Sequence, residues 1–271
     1  KISRVLKNAS HNVCKAAGFR SVNDNIFVYS PVILPFPYSK IARIINKYML
    51  VRAIRRWMRI ADFRDPIIWT FLPTGTALDI IYAIDHTLLI YYCIADFYSL
   101  TDAPKEVKKT EDELIKMCDC IFAQGEELAR KCRRFNDRVH IFPFGVNMET
   151  FETFTPSAKT LPDDLRNIPK PIIGYIGGIH KHIDFNLLKF AAESNPGLSF
   201  VLVGPLQTET PLLEGIKNVY LLGKKDFSDL PRYVHEFNAC IIPYQKNDYT
   251  QTVFPTKLNE YHAMGKPVIS T

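Results

Sequence analysis

The chain has 271 residues, 47% of them hydrophobic and 23% charged, with a net charge of +6. That length exceeds one average domain, and the composition is that of a globular protein with a full core. The scattered cysteines (Cys14, Cys93, Cys118, Cys120, Cys132 and Cys240) argue against a disulfide framework and for buried free thiols in a reducing compartment. Cys118 and Cys120 stand too close for an ordinary zinc half-site and no matching pair follows, so no metal site is expected. No signal peptide is visible, and the most apolar stretch, 87–95, is far shorter than the roughly 20 residues of a spanning helix.

In chain order, apolar runs alternate with helical patterns. The first half has strand candidates at 25–30, 66–71, 87–94, 118–124 and 138–144, with helices near 76–83, 104–117 and 125–135. In the third of these strand–helix sets, Lys108, Lys109, Glu111, Asp112 and Glu113 read as a solvated helix face. The second half has strands at 171–177, 198–204, 218–223, 239–244 and 267–271, with helices near 184–194, 227–237 and 256–264. Strand–helix alternation with runs buried on both faces predicts parallel sheets covered by helices. Residues 150–170 hold three prolines and no steady period, which is linker composition. The expected division is a first domain over 1–155, a linker over 156–170 and a second domain over 171–271.

Charge follows this division. Residues 1–155 hold 22 basic and 17 acidic side chains, and residues 156–271 hold 12 and 11. Much of the basic excess lies in 39–60, which has seven basic residues and no acidic one. There Leu50, Val51, Ile54, Trp57 and Met58 read as one stripe, with Arg52, Arg55, Arg56 and Arg59 opposite. Ile41, Ile44, Ile45 and Tyr48 point elsewhere, which predicts a turn or break near Met49. Such a helix can lie on an anionic membrane or pack its apolar face on the sheet, and both readings stand. Charge alone would permit nucleic-acid binding, but no aromatic-basic interleaving supports it.

The chemistry concentrates at predicted strand ends of the second half, where open α/β sheets bind ligands. Gly177 and Gly178 follow the first strand and allow close backbone approach, with His180, Lys181 and His182 just beyond. Lys224, Lys225 and Asp226 follow the third strand, as ligand contacts or as a helix-capping turn. Pro255 suits a first helical position. The N–H groups of Thr256, Lys257 and Leu258 would then form an anion site with the positive helix end, to which Lys257 adds a full charge. Glu260, one turn on, can accept from two vicinal hydroxyls such as those of a ribose. Taken alone, Lys257 and Glu260 also fit an exposed i,i+3 ion pair worth about 0.3–0.5 kcal/mol.

The glycine loop, the helix opened by Pro255 and the closing "GKPVIST" together resemble the nucleotide-binding domain of GT-B glycosyltransferases of the family 4 (group 1) type. "HIFPFGVNMETF" and "YYCIADFYS" resemble that family's segments at the end of the acceptor domain and at the interdomain cleft. The resemblance implies two Rossmann-like parallel-sheet domains facing a cleft, here short at both ends. It implies transfer of a sugar from a nucleoside diphosphate sugar to a hydroxyl acceptor, with retention and without a metal or other cofactor. It puts a ribose-holding glutamate at Glu260, the first member of the family's glutamate pair at Thr252, and a cleft acid at Asp96, preceded here by Ala95. The family's diphosphate-gripping Arg and Lys fall on Gly178 and Ile183, so His180, Lys181, His182 and Lys257 are the substitutes on offer. The implied setting is cell-surface polysaccharide or glycolipid synthesis with an acceptor that can be lipid-linked. The protein would be cytoplasmic, or peripheral on the inner face of the cell membrane if Arg52, Arg55, Arg56 and Arg59 face it. A nucleotide-sugar epimerase on the same fold and a non-catalytic nucleotide-sugar-binding or scaffold protein are the alternatives.

Overall fold

The computed structural model describes residues 19–23, 25–36, 39–99, 104–151 and 161–271. The chain divides into two compact units, Lys1–Phe142 and Pro143–Thr271. Cys14 and residues 156–160 of the expected linker lie outside the described residues.

The first unit is built on a parallel sheet of β3 (Ile67–Thr70), β4 (Leu88–Cys93), β5 (Cys120–Ala123) and β6 (Val139–Ile141), in that spatial order. β4 reads LLIYYC and is buried on both faces, as a central parallel strand must be. Helices α2 (Gly75–Ala83), α3 (Pro104–Met117) and α4 (Glu126–Arg133) supply Leu78, Ile81, Leu114, Ile115, Leu128 and Cys132 to its core. Cys93, Cys118, Cys132 and Cys240 are buried free thiols, and Cys120 is half-buried.

Two expectations fail in this unit. The strand expected at 25–30 is not part of the parallel sheet. As β2 (Ile26–Tyr29) it pairs antiparallel with β1 (Phe19–Asn23), a strand the sequence reading missed. Aromatic packing fixes this hairpin: Phe19 stacks on Tyr29 and on Trp57, with ring centroids 4.3 and 5.3 Å apart. The break expected near Met49 is also absent. α1 runs unbroken from Lys40 to Ile60, capped by the Ser39 hydroxyl, which accepts from the Ala42 N–H at 3.3 Å. Its buried row passes from Ala42 through Asn46 to Leu50. Asn46 makes that row continuous, because its amide clasps both backbone groups of Leu34 at 2.9 and 3.1 Å. Arg43 ties the helix to α2 through Asp79 at 2.6 Å.

The second unit is a five-stranded parallel sheet. Its spatial order is β11 (Val268–Ser270), β10 (Ala239–Ile242), β7 (Ile172–Ile176), β8 (Ser199–Val203) and β9 (Val219–Leu221). Apolar clusters fill both faces, one around Ile176, Val203, Phe237 and Tyr261, the other around Tyr175, Ile183, Leu188 and Leu202. The helices are α5 (Met148–Phe151), α6 (Phe185–Ser194), α7 (Leu230–Glu236) and α8 (Thr256–Ala263). Phe151 of α5 is fully buried against Phe227 in this unit. From β7 the chain proceeds outward through β8 and β9, then returns to the other side of β7 as β10. That reversal between β7 and β10 is a topological switch point, where a parallel sheet opens a crevice at its carboxyl edge.

Candidate functional site

The loops leaving β7, β8, β9 and β10 are knitted together at this crevice. Gly177 has φ +123° and Gly204 has φ +157°, backbone states that exclude most side chains. A Cβ on Gly204 would lie 1.9 Å from the Gly177 carbonyl, so the two loops approach backbone to backbone. The Gly204 N–H donates to Gly223 at 2.9 Å, which brings the residue after Gly223, Lys224, to the same edge. The Gln245 N–H donates to His182 at 2.9 Å and joins the β10 loop to the glycine loop.

α8 is anchored from beneath. The fully buried Tyr261 hydroxyl accepts the Ile176 N–H at 2.9 Å, one residue before the glycine loop. One helical turn earlier, Lys257 therefore lies over that loop: a Cβ on Gly177 would be 3.0 Å from its Cε. Its ammonium donates to the Tyr244 hydroxyl at 2.5 Å and sits 5.1 Å from the ring centroids of both Tyr175 and Tyr244. Tyr175, whose hydroxyl burial keeps protonated, donates to the Gly178 carbonyl at 3.0 Å. The aromatic pair holds the cation by cation–π attraction without neutralising it. The sequence reading missed both tyrosines, although each ends or follows a strand at the switch point.

Glu260 is half-buried, and burial raises its pKa above the usual carboxylate range while Lys257 pulls it down. Among the described residues, its carboxylate makes no hydrogen bond and no ion pair. The exposed i,i+3 pair is therefore not formed, because Lys257 turns to the tyrosines. Pro255 caps α8 rather than opening its first turn. The Leu258 N–H is already taken by the Pro255 carbonyl at 2.9 Å, so Leu258 drops out of the expected anion site and packs toward the core. The N–H groups of Thr256 and Lys257 have no acceptor among the described residues, and Thr256 is exposed.

Beside this helix end lies a cavity of about 460 Å³ lined by His180, His182, Gln207, Thr208, Tyr249 and Val253 among others. Burial and neighbouring positive charge, from Lys257 for His180 and Lys181 for His182, hold both histidines below their ordinary pKa. They offer neutral ring nitrogens. Gly178 abuts the Gln207 side chain. Thr252 turns its hydroxyl to the Tyr249 carbonyl at 2.8 Å, in a short 3₁₀ turn. Lys224 is exposed, whereas Lys225 pairs with Asp164 at 2.7 Å. Asp226 precedes a 3₁₀ turn without capping it through its side chain.

In the first unit, Asp96 follows β4 and is committed internally. Its Oδ1 accepts from the Lys131 ammonium at 2.7 Å and its Oδ2 from the Ser99 hydroxyl at 2.7 Å. Burial pushes its pKa up, but these bonds and the Lys131 charge outweigh that and hold it below the ordinary value. Lys131 also donates to Glu111 at 2.6 Å, and Glu111 accepts from the Tyr91 hydroxyl at 2.9 Å. Glu111 is only 1% exposed, so its place on a solvated face is corrected. The signal was present: Glu111 stands three, four and seven residues before Leu114, Ile115 and Cys118, on the buried face of α3. No cluster of three or more metal-ligating side chains occurs among the described residues.

Residues 170–271 match the family model described as Glycosyl transferases group 1. Over 177 residues the chain is 33% identical to TuaH of Bacillus subtilis (strain 168), which is named for a glycosyltransferase role in teichuronic acid biosynthesis. That match takes in 62% of this chain and 44% of TuaH, so the chain spans less than half the length of this curated relative. Among solved structures, sucrose-phosphate synthase of Thermosynechococcus elongatus aligns with a TM-score of 0.71 at 16% identity, over 94% of this chain and 68% of that one. Anabaena HepE in complex with UDP and glucose aligns at 0.65 and 13% identity, over 90% and 67%. The chain thus has sequence and structural homology to GT-B enzymes of the family 4 (group 1) type, and its two Rossmann-like units have that fold.

Proposed function

We propose that this protein transfers a sugar from a nucleoside diphosphate sugar to a hydroxyl acceptor, in cell-surface polysaccharide or glycolipid synthesis. The observation that carries the reading is the edge of the second unit, where a glycine loop at a switch point meets a helix end, an un-neutralised lysine and a glutamate without a partner among the described residues. The free N–H groups of Thr256 and Lys257, with the Lys257 ammonium, suit a diphosphate. As the sugar–phosphate bond breaks, negative charge grows on that leaving group, and donors already in place stabilise it without reorganising. Glu260 accepts from the ribose hydroxyls. His180, as a neutral donor, and Lys224 complete the contacts on the donor side.

The reaction is read as hexosyl transfer with retention and without a required metal. Asp96 is fixed and ionised, which makes it a poor general base. Its part is to orient the acceptor or the sugar through its remaining lone pairs. A lipid-linked acceptor and a place on the inner face of the cell membrane are the finer parts of the proposal. UDP and UDP-glucose are the ligands to test first, because HepE, which shares the fold, is described in complex with each. Calorimetry with UDP, GDP and dTDP should show one clear preference, and a nucleotide-sugar panel should release free nucleoside diphosphate. Absence of nucleotide binding would overturn the reading. Binding without any turnover, with or without acceptor, would leave a non-catalytic nucleotide-sugar-binding protein instead.

A further inference from the structure

The cavity beside the start of α8 offers hydrogen-bond donors and no acids. Among the described residues, no carboxylate lines it. Asp184, which follows the glycine loop, is spent on α6, where it accepts the Leu187 N–H at 2.9 Å. Asp248, next to Tyr249, is exposed and takes no part in the lining. Thr252 brings no carboxylate either, and its hydroxyl is taken by the Tyr249 carbonyl. What remains are donors. The His182 N–H donates to His180 Nδ1 at 3.3 Å, so the neutral His180 ring carries its proton on Nε2. That Nε2–H has no acceptor among the described residues. The side chains of Lys181, Gln207, Thr208 and Tyr249 likewise make no hydrogen bond or ion pair among them.

The lining also has a direction. It starts at Lys257, which donates to the Tyr244 hydroxyl. Ring contacts then run from Tyr244 to His180, from His180 to His182 and from His182 to Tyr249, with centroids 5.5, 5.6 and 4.6 Å apart. The near end is the cation assigned to the diphosphate, and the far end carries the exposed Lys181. Positive charge thus stands at both ends, Lys257 acting on His180 and Lys181 on His182. The hydroxyls of a neutral sugar donate as well as accept, and their protons would find few acceptors here. A ligand satisfies this lining by bringing lone pairs and negative charge. With the phosphates at Lys257, the second negative charge has to come from the sugar.

We propose that the cavity receives the sugar of the donor and selects one that bears a carboxylate, a nucleoside diphosphate uronic acid, with that carboxylate at Lys181, His182 and Tyr249. The inference rests on the nucleoside diphosphate sugar reading above and narrows its substrate class. The cavity volume of about 460 Å³ lies within the roughly 300–1,000 Å³ of pockets that enclose small ligands. An ammonium and a ring nitrogen on one carboxylate make charge-assisted hydrogen bonds that a primary hydroxyl at the same place would not.

Calorimetry on the whole chain tests it. The preferred base is fixed first with UDP, GDP and dTDP. The glucose and glucuronate conjugates of that nucleotide are then compared, and likewise galactose with galacturonate and mannose with mannuronate. One uronate should bind roughly 10–100-fold more tightly than its hexose, the worth of a charge-assisted hydrogen bond. The ratio should shrink at about 1 M salt, because Lys181 is exposed. Lys181→Gln, and His182→Phe, which keeps a ring against Tyr249, should each erase most of the ratio while the bare nucleoside diphosphate stays within about twofold. A melting curve for each variant checks the fold, and Lys181→Gln keeps the test open if His182→Phe does not fold. A ratio near one, or a preference for the hexose, with the nucleotide still bound overturns the uronate assignment and leaves sugar transfer standing. If either variant weakens the bare diphosphate as much as its conjugates, phosphates fill the cavity and the assignment falls. If no nucleoside diphosphate binds, the reading of the whole site fails and takes this inference with it.

Discussion

The two units share a plan, a parallel sheet with charged side chains after its strands, but they treat those charges in opposite ways. After β4 of the first unit, Asp96, Lys131 and Glu111 satisfy one another, with Tyr91 and Ser99 closing the network. At the switch point of the second unit, Lys257 is held only by tyrosines, and Glu260 has no partner among the described residues. A buried charge that finds its counter-ion within the fold serves stability. One that is half-buried and left open is free to take its counterpart from a ligand. Mutations should therefore separate cleanly: those in the first network register in folding, those at the switch point in binding.

The largest effect is expected from Lys131→Met. It strands the Glu111 and Asp96 carboxylates in a desolvated setting, and removing one partner of such a network costs about 3 kcal/mol, the low end of the range because the Lys131 side chain keeps 25% of its exposure. Urea denaturation should show this loss, and a loss under about 1 kcal/mol would mean that the network is not what secures α3 and α4. The pH dependence has a definite sign. The lowered Asp96 pKa contributes stability that is present above the ordinary carboxylate value, about 3.9, and is lost as pH falls through the folded value. Burial alone would lower the Lys131 pKa, but Glu111 and Asp96 raise it well above normal, so its contribution is full below about 10.4 and is lost only at still higher pH. The gap between wild type and Lys131→Met should be flat between about pH 5 and 9 and shrink in acid.

Smaller and of the other kind is the expected effect of Glu260→Ala. Nucleoside diphosphate binding should weaken by about 1.5–3 kcal/mol, the size of a charge-assisted hydrogen bond. Stability should not fall. A carboxyl whose folded pKa is raised by burial favours the fold most when protonated and loses that contribution as pH rises through the folded value. By the same shift, wild-type nucleotide affinity should begin to decline on acidification at a higher pH than an ordinary carboxylate would give, and the variant should show no such step. Lys257→Ala should weaken diphosphate binding by a similar amount while leaving the nucleoside nearly unaffected. Equal losses for both ligands, read by calorimetry, would assign Lys257 to the packing of Tyr175 and Tyr244 instead.

The same contrast explains what the sequence disclosed. Among the described residues, ten of the eleven strands follow from apolar runs, most plainly β4 and β8, since a strand buried on both faces must be apolar throughout. β1 was missed because Arg20, Ser21 and Asn23 give it no such run, and it is held by the aromatic stack of Phe19, which is tertiary. The open site was largely legible, since a glycine loop and a helix start leave local signals at Gly177, Pro255, Lys257 and Glu260. The closed network was not. The period of α3 marks Glu111 as buried, but Asp96, Glu111 and Lys131 are 15 and 20 residues apart along the chain, and nothing local pairs them with one another. The break wrongly expected in α1 arose from Ile41, Ile44, Ile45 and Tyr48, apolar residues that the fold leaves exposed, while the buried row runs through the polar Asn46, whose burial depends on the Leu34 backbone.

The smallest effect separates two neighbours within the second unit. Lys224 and Lys225 follow Gly223, whose carbonyl is tied to Gly204 and so to the glycine loop. Lys225 is committed: it pairs with Asp164 at 2.7 Å and its ammonium lies 5.6 Å from the Tyr233 ring centroid, so its pKa rises, chiefly through the Asp164 hydrogen bond. Lys224 is exposed and has no ion pair among the described residues. If an unsatisfied charge at this edge marks a ligand contact, Lys224→Ala should weaken nucleoside diphosphate binding by up to about 1 kcal/mol, and more at low salt than at high, as for a screened surface cation. Lys225→Ala should leave affinity within about twofold and lower stability by well under 1 kcal/mol, the worth of a partly exposed pair. The two variants differ by one position in sequence, so a calorimetric series at two salt concentrations tests the rule itself. Were Lys225→Ala the one to weaken binding, the ligand would have to reach past the carboxylate of Asp164, and internal pairing would no longer tell architecture from site.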